Sequence, residues 1–179
     1  MIYFLLSLLS LLTLSACSTT QVPDNAKLIA GMSYFEQEDF QCGPSSLATV
    51  IDYWYKKERT NKSITPEDIA SSIYSATARG LLGIDLELYA KRLGLKTSQY
   101  SGSINEIKKD VDDGIPIIVL VDYGISIYQV NHFMVITGYA EKGVIVNSGR
   151  ERNKFISDEE FMRIWGKTGF WALKIKPSE

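Results

Sequence analysis

The hydrophobic period of this chain changes at Gly114, and that change sets the fold class. Before it, apolar residues recur at helical spacing; after it, they come in short β-branched blocks. Leu47, Val50, Ile51 and Trp54 follow at intervals of three and four, so Pro44 to Lys57 reads as a helix with one buried face. Thr65-Pro66-Glu67-Asp68 supplies an N-cap, a proline at the first helical position and acidic residues in the first turn, which predicts a second helix to about Tyr74. Asp85 to Gly94 reads as a third, capped by Asp85 and stopped by the glycine. Ser103 with Glu106 forms a capping box opening a fourth that ends near Gly114. Pro116 to Asp122, His132 to Tyr139 and Gly143 to Asn147 then read as strands, the last two joined in a hairpin. Ser157-Asp158-Glu159-Glu160 opens a final helix through Trp165, and Trp171 to Lys176 closes the chain as a strand. N-terminal helices followed by a mostly antiparallel sheet is an α+β arrangement.

The amino terminus predicts where such a domain resides. Fourteen almost wholly apolar residues lead into Leu14-Ser15-Ala16-Cys17, small residues directly before a cysteine, which reads as a lipoprotein signal peptide over residues 1–16. No Lys or Arg precedes the apolar run, so the positive charge of such a signal rests on the amino terminus alone. A transmembrane anchor is the weaker alternative, because a span needs about 20 apolar residues. Diacyl and N-acyl chains on Cys17 would anchor the protein stably, each buried CH₂ contributing about 0.8 kcal/mol. Ser18 after that cysteine suggests the outer membrane of a Gram-negative cell, facing the periplasm. Residues 17–27 are polar, contain Pro23 and read as a tether. Residues 28–179 are left as the domain.

Lipidation of Cys17 leaves Cys42 as an unpaired thiol in an oxidising compartment, where such a group is a liability unless it does something. A buried structural cysteine, or a Cys17–Cys42 disulfide in an unprocessed chain, would account for the sulfur but not for its neighbours. Cys42-Gly43-Pro44 stands at a helix start, where unpaired N–H groups and the macrodipole favour a thiolate. The chain holds one histidine, His132. One thiol and one imidazole point to nucleophilic hydrolysis.

These residues carry a resemblance. Gln37 to Tyr53 resembles the active-site start of the bacteriocin leader-processing (double-glycine) peptidases, which are papain-like cysteine proteases. His132-Phe133-Met134-Val135-Ile136-Thr137-Gly138-Tyr139 resembles their histidine strand, Gly83 to Leu95 their intervening helix, and Pro116 to Val121 their first long strand. The likeness covers nearly the whole chain after the tether, in the family's order. It extends to a stand-alone lipoprotein subgroup through Ser148-Gly149 and the Phe161…Trp165…Trp171-Ala172-Leu173 ending.

The resemblance implies a papain-like fold and a set of roles. Cys42 would be the nucleophile and His132 the general acid and base. Gln37, with the Cys42 backbone N–H, would hold the oxyanion; Gln41 is the competing candidate but is adjacent to the nucleophile. The family's third residue, usually an aspartate, falls on Asn147. An asparagine can orient the ring by accepting the Nδ1–H but brings no negative charge to it. Asp122 is the alternative, with a turn residue as its plainer role.

Other chemistries find no support. One histidine and no paired cysteines offer no zinc set, and Gly80 to Gly83 lacks the Lys-Ser/Thr of a phosphate loop, so no cofactor is expected. A formal charge of −2 argues against nucleic acid. The expected partners are a peptide or protein substrate and, through the lipid, a membrane; nothing in the sequence specifies an oligomeric state. Three readings follow: a lipid-anchored cysteine peptidase, a non-catalytic lipoprotein that holds peptides in the same cleft, and a cell-wall amide hydrolase. The last lacks its usual Asp-Cys-Ser approach and second downstream histidine.

Overall fold

A seven-stranded antiparallel sheet and the helix α1 that runs against it organise the molecule. The computed structural model describes residues 22–37, 41–73 and 82–178. The signal peptide, Cys17, the first part of the tether, the Glu38-Asp39-Phe40 approach, Tyr74 and Gly80 lie outside the described residues.

The elements in chain order are β1 (Lys27–Leu28), α1 (Cys42–Lys57), α2 (Pro66–Ile73), α3 (Gly83–Arg92), β2 (Lys96–Ser101), α4 (Ile104–Asp112), β3 (Ile117–Asp122), β4 (Asn131–Ala140), β5 (Gly143–Ser148), β6 (Glu151–Ser157), α5 (Asp158–Gly166) and β7 (Trp171–Lys176). The sheet order is β2-β7-β3-β4-β5-β6, with β1 also paired to β4. The α+β class expected from the period change is the observed one, and all the strand pairs are antiparallel.

Local signals place most boundaries. Thr65 caps α2, its Oγ1 accepting the Asp68 N–H while the Asp68 carboxylate accepts the Thr65 N–H. Ser103 and Ser157 accept the N–H of Glu106 and Glu160 at the starts of α4 and α5. Asp85 is a correction: it lies inside α3, two residues after the first helical one, and its carboxylate reaches back to accept the Leu82 N–H at 2.9 Å. Three strands carry no sequence signal of the kind used above. β1 is two residues long, and β2 and β6 are polar edge strands with no apolar alternation.

α1 is buried from Gly43 to Tyr55, far more than one face, because it packs against β4, β3 and β7 on one side and α2 and α3 on another. Trp54 fixes its last turns to the sheet by donating its indole N–H to the Ile175 carbonyl at 2.8 Å. Fully buried Phe161 and Trp165 stack on one another in α5, which packs on β3, β5 and β6; truncating either to alanine costs about 3–5 kcal/mol. Gly138 admits β1: a Cβ there would stand 2.4 Å from the Lys27 carbonyl oxygen. Among the described residues, no helix is long and apolar enough to cross a membrane.

Candidate active site

Cys42 is the first residue of α1, two residues earlier than the apolar spacing alone marks the helix, and it is a free, half-buried thiol. Gly43 and Pro44 follow, and in the first helical turn proline gives up an N–H that has no intrahelical partner. The sulfur meets three backbone N–H groups, those of Phe133, Gly43 and Cys42 itself. Phe133 is the residue after His132 on β4, so the packing of α1 on β4 delivers the chain's thiol to the neighbourhood of its one imidazole.

The helix-start argument favours a thiolate, and burial opposes it. Burial pushes the Cys42 thiol above its ordinary range and outweighs the three N–H groups that draw it down. His132 is moved the other way, to about 4, first by burial and then by the nearby Lys154 ammonium. Both shifts favour uncharged forms. Burial thus works against an ion pair in the free site.

Gln37 is buried and clamped to the turn between β5 and β6. Its backbone N–H donates to the Gly149 carbonyl at 3.1 Å, and its Oε1 accepts the Gly149 N–H at 2.9 Å. With Oε1 committed, Nε2 is the end of the amide free to donate. Gln41 is the N-cap residue of α1 by position only, with no side-chain capping bond.

Asn147 does not orient the ring. Its Oδ1 accepts the Asn153 N–H at 3.0 Å and its amide nitrogen donates to the Ser33 carbonyl at 3.3 Å. It thereby braces the segment that leads to Gln37. The reason is strand alternation: Asn147 pairs with Val135, three residues from His132, and so faces the other side of the sheet. Ser148, the next residue, turns to the side of the ring, and its Oγ lies 3.0 Å from His132 Nε2. The contact is to Nε2, not to the Nδ1 that the sequence reading had assigned to the orienting residue. Counting alternate positions along the hairpin would have found Ser148.

Asp122 has the plainer of its two roles. Its Oδ1 accepts the N–H groups of Gly124 at 2.7 Å and Val130 at 2.8 Å, which hold its carboxyl below the usual range and close the loop between β3 and β4. That loop presents an apolar tip beside the site. Ile125 and Ile127 are 81% and 83% exposed and Tyr128 and Val130 are also open, while Tyr123 at its base lies against the His132 ring at a centroid distance of 6.0 Å. Among the described residues, no cluster of histidine, cysteine or acidic side chains could hold a metal ion.

Comparison with known proteins agrees with this architecture. The sequence profile of the Peptidase_C39 like family matches residues 29–173. The fold is similar to a crystal structure described as a C39-like peptidase from Bacillus anthracis, with a TM-score of 0.70 at 17% identity over 87% of this chain and 100% of that one. It is similar to a double-glycine-motif protease from an AMS/PCAT transporter, solved with its leader peptide, with a TM-score of 0.65 at 26% identity over 85% and 96%. The peptidase domain of Streptococcus ComA, from a bifunctional ABC transporter of a quorum-sensing pathway, gives 0.63 at 22% identity over 82% and 99%. No curated protein matches the chain.

Proposed function

Because the chain belongs to the Peptidase_C39 like family, we propose that it is a cysteine peptidase in which Cys42 attacks a peptide carbonyl and His132 carries the proton. The observation that carries this reading is the packing of the Cys42 sulfur against the N–H of Phe133, beside the chain's one histidine. As the C–S bond forms, the thiol proton passes to the ring. The tetrahedral oxyanion takes hydrogen bonds from Gln37 Nε2 and the Cys42 N–H. The C–N bond then breaks, the ring returns the proton to the leaving amine, and water hydrolyses the thioester.

Opposition to an ion pair in the free site suits this order of events. Proton transfer from sulfur to imidazole accompanies attack on the carbonyl, and the oxyanion donors offset its cost. The aliphatic tip at Ile125 and Ile127 offers an apolar ledge beside the ring, which supports an extended peptide with apolar residues on that side as the substrate. The protease solved with its leader peptide supports a peptide substrate in the same fold. We place the enzyme on a lipid at Cys17, on the periplasmic face of the outer membrane, with no nucleic acid and no cofactor in its chemistry.

The test is exposure of a proteome-derived peptide library to the purified full-length protein, with new amino termini read by mass spectrometry. Wild type generates new termini; Cys42→Ala and His132→Ala generate none. Tight retention of peptides with no new termini from wild type would instead establish the non-catalytic binding lipoprotein.

A further inference from the structure

We propose that the cavity between β6 and α5 receives the side chain of the first residue after the scissile bond, and that it selects a large apolar one. This deepens the peptidase reading and rests on it for the direction in which the substrate runs, though not for the chemistry of the cavity.

The cavity adjoins the ring. Its volume is about 340 Å³, and Tyr123, Lys154, Phe155, Ile156, Glu160 and Ile164 line it. Tyr123 is a wall shared with the site, since its ring lies 6.0 Å from that of His132, centroid to centroid. Lys154 is near enough for its ammonium to act on the imidazole. Strand pairing explains this. Lys154 stands opposite Val146, two residues before Ser148, so by alternation it shares the face on which Ser148 meets His132. Lys167, just past the end of α5, donates to the Gly124 carbonyl at 2.6 Å and ties the loop that carries Tyr123 to that helix. The wall is therefore built into the fold.

Proton flow gives the direction. In the proposed reaction the ring returns its proton to the leaving amine, so the chain after the scissile bond passes the imidazole, while the half before it stays with the sulfur. The residue that carries the amine nitrogen is thus the one whose side chain meets the wall at Tyr123. Size and charge set what fits. Ligand cavities run from about 300 to 1,000 Å³, and this one lies at the small end, with room for one large side chain. Its floor is the aliphatic pair Ile156 and Ile164, both buried. The two charges at its rim are already paired, Lys154 with Glu151 at 2.5 Å and Glu160 with Arg163 at 2.7 Å. A charged substrate side chain would have to break one of these pairs and give up its own water. Leucine, methionine or phenylalanine sheds water only from apolar surface, which favours entry.

Two measurements on the full-length protein test this. In the peptide-library digest, the new amino termini made by wild type should begin with large apolar residues, with kcat/KM roughly 10-fold or more above that of the alanine counterpart. Glu160→Lys sets a second ammonium at the rim beside Lys154. It should erase the apolar preference and favour aspartate and glutamate at that position, with a thermal melt showing that the variant folds. The second measurement needs no cleavage. Isoleucine methyl groups are labelled with 13C, and the signals of Ile156 and Ile164 are assigned through Ile156→Val and Ile164→Val. Both signals should shift when phenylalanyl-alanine amide, a mimic of the released fragment, is added, and stay in place with aspartyl-alanine amide. In Glu160→Lys that order should reverse. New termini with no preference at their first residue, or Ile156 and Ile164 signals unmoved by phenylalanyl-alanine amide, would overturn the proposal. Shifted signals in a protein that cleaves nothing would sink the peptidase reading and leave the ligand class of the cavity intact.

Discussion

The sulfur of Cys42 lies against the backbone N–H of Phe133, the residue immediately after His132. One helix start and one strand are thus joined at the point where thiol and imidazole chemistry meet. Burial there raises the thiol and lowers the ring, so it opposes charge on both groups.

Alkylation of the free protein should reflect that state. Because burial raises the thiol, the thiolate fraction at neutral pH is smaller than that of an ordinary free cysteine. Iodoacetamide should therefore label Cys42 more slowly than glutathione at pH 7, with a rate that keeps rising through the alkaline range. Peptide mapping by mass spectrometry after timed quenching measures this. Fast labelling with a plateau below neutral pH would show a resting ion pair. Slow labelling by itself does not separate a peptidase from a peptide binder in this protein.

Gln37→Glu separates the two ends of the amide. The carboxylate can still accept the Gly149 N–H, so the clamp on the β5–β6 turn persists, but the Nε2 donor is gone. Loss of one oxyanion donor costs about 2.7–4 kcal/mol of barrier, so kcat should fall roughly 100- to 1,000-fold with little change in KM. Steady-state kinetics on a substrate recovered from the peptide library, with a thermal melt as control, decides it.

His132 links stability to pH. Its folded-state pKa lies near 4 against an ordinary value of 6.5, so between those limits the unfolded chain binds a proton that the folded chain excludes. The ring's contribution is present above pH 6.5 and is lost as pH falls toward 4. Urea titrations of wild type and His132→Gln should diverge across that window, wild type losing on the order of 2 kcal/mol more once the ring's partial exposure is allowed for. Parallel pH profiles would contradict the shift.

On the proposed function, the apolar tip contacts the substrate and is not needed by the fold. Ile125 and Ile127 are so exposed that an Ile125→Ser, Ile127→Ser double variant should change stability by no more than about 0.5 kcal/mol per site. The variant should raise KM for library-derived peptides with kcat retained. Unchanged KM would remove the tip from the binding site.

What the sequence disclosed and withheld follows from which forces are local. The capping residues Thr65, Ser103 and Ser157 announce their helices, because a cap is a contact within three residues. The β-branched runs at Ile117 and His132 give strands flanked by neighbours on both sides. Lys96 to Ser101 and Glu151 to Ser157 escaped because edge strands are recruited by partners distant in sequence, β7 for one and β5 for the other, and carry little apolar pattern of their own. Cys42 and His132 stand out in the sequence as one unpaired thiol and one imidazole, and the packing of α1 on β4 sets the sulfur by the residue after the ring. Ser148 rather than Asn147 meets the His132 ring because a one-residue step on a strand reverses the face, and the burial that raises the Cys42 thiol is set by packing that no helix start encodes.

The account stands or falls on a covalent bond at Cys42. Intact-protein mass spectrometry of an acid-quenched reaction, using a peptide cleaved in the library experiment, should show wild type carrying an acyl adduct equal in mass to the amino-terminal product less one water. Cys42→Ala should carry none, and the adduct should map to Cys42 as a hydroxylamine-labile thioester. Cleavage without an adduct, together with cleavage by Cys42→Ala, would contradict the assignment of Cys42 as the nucleophile.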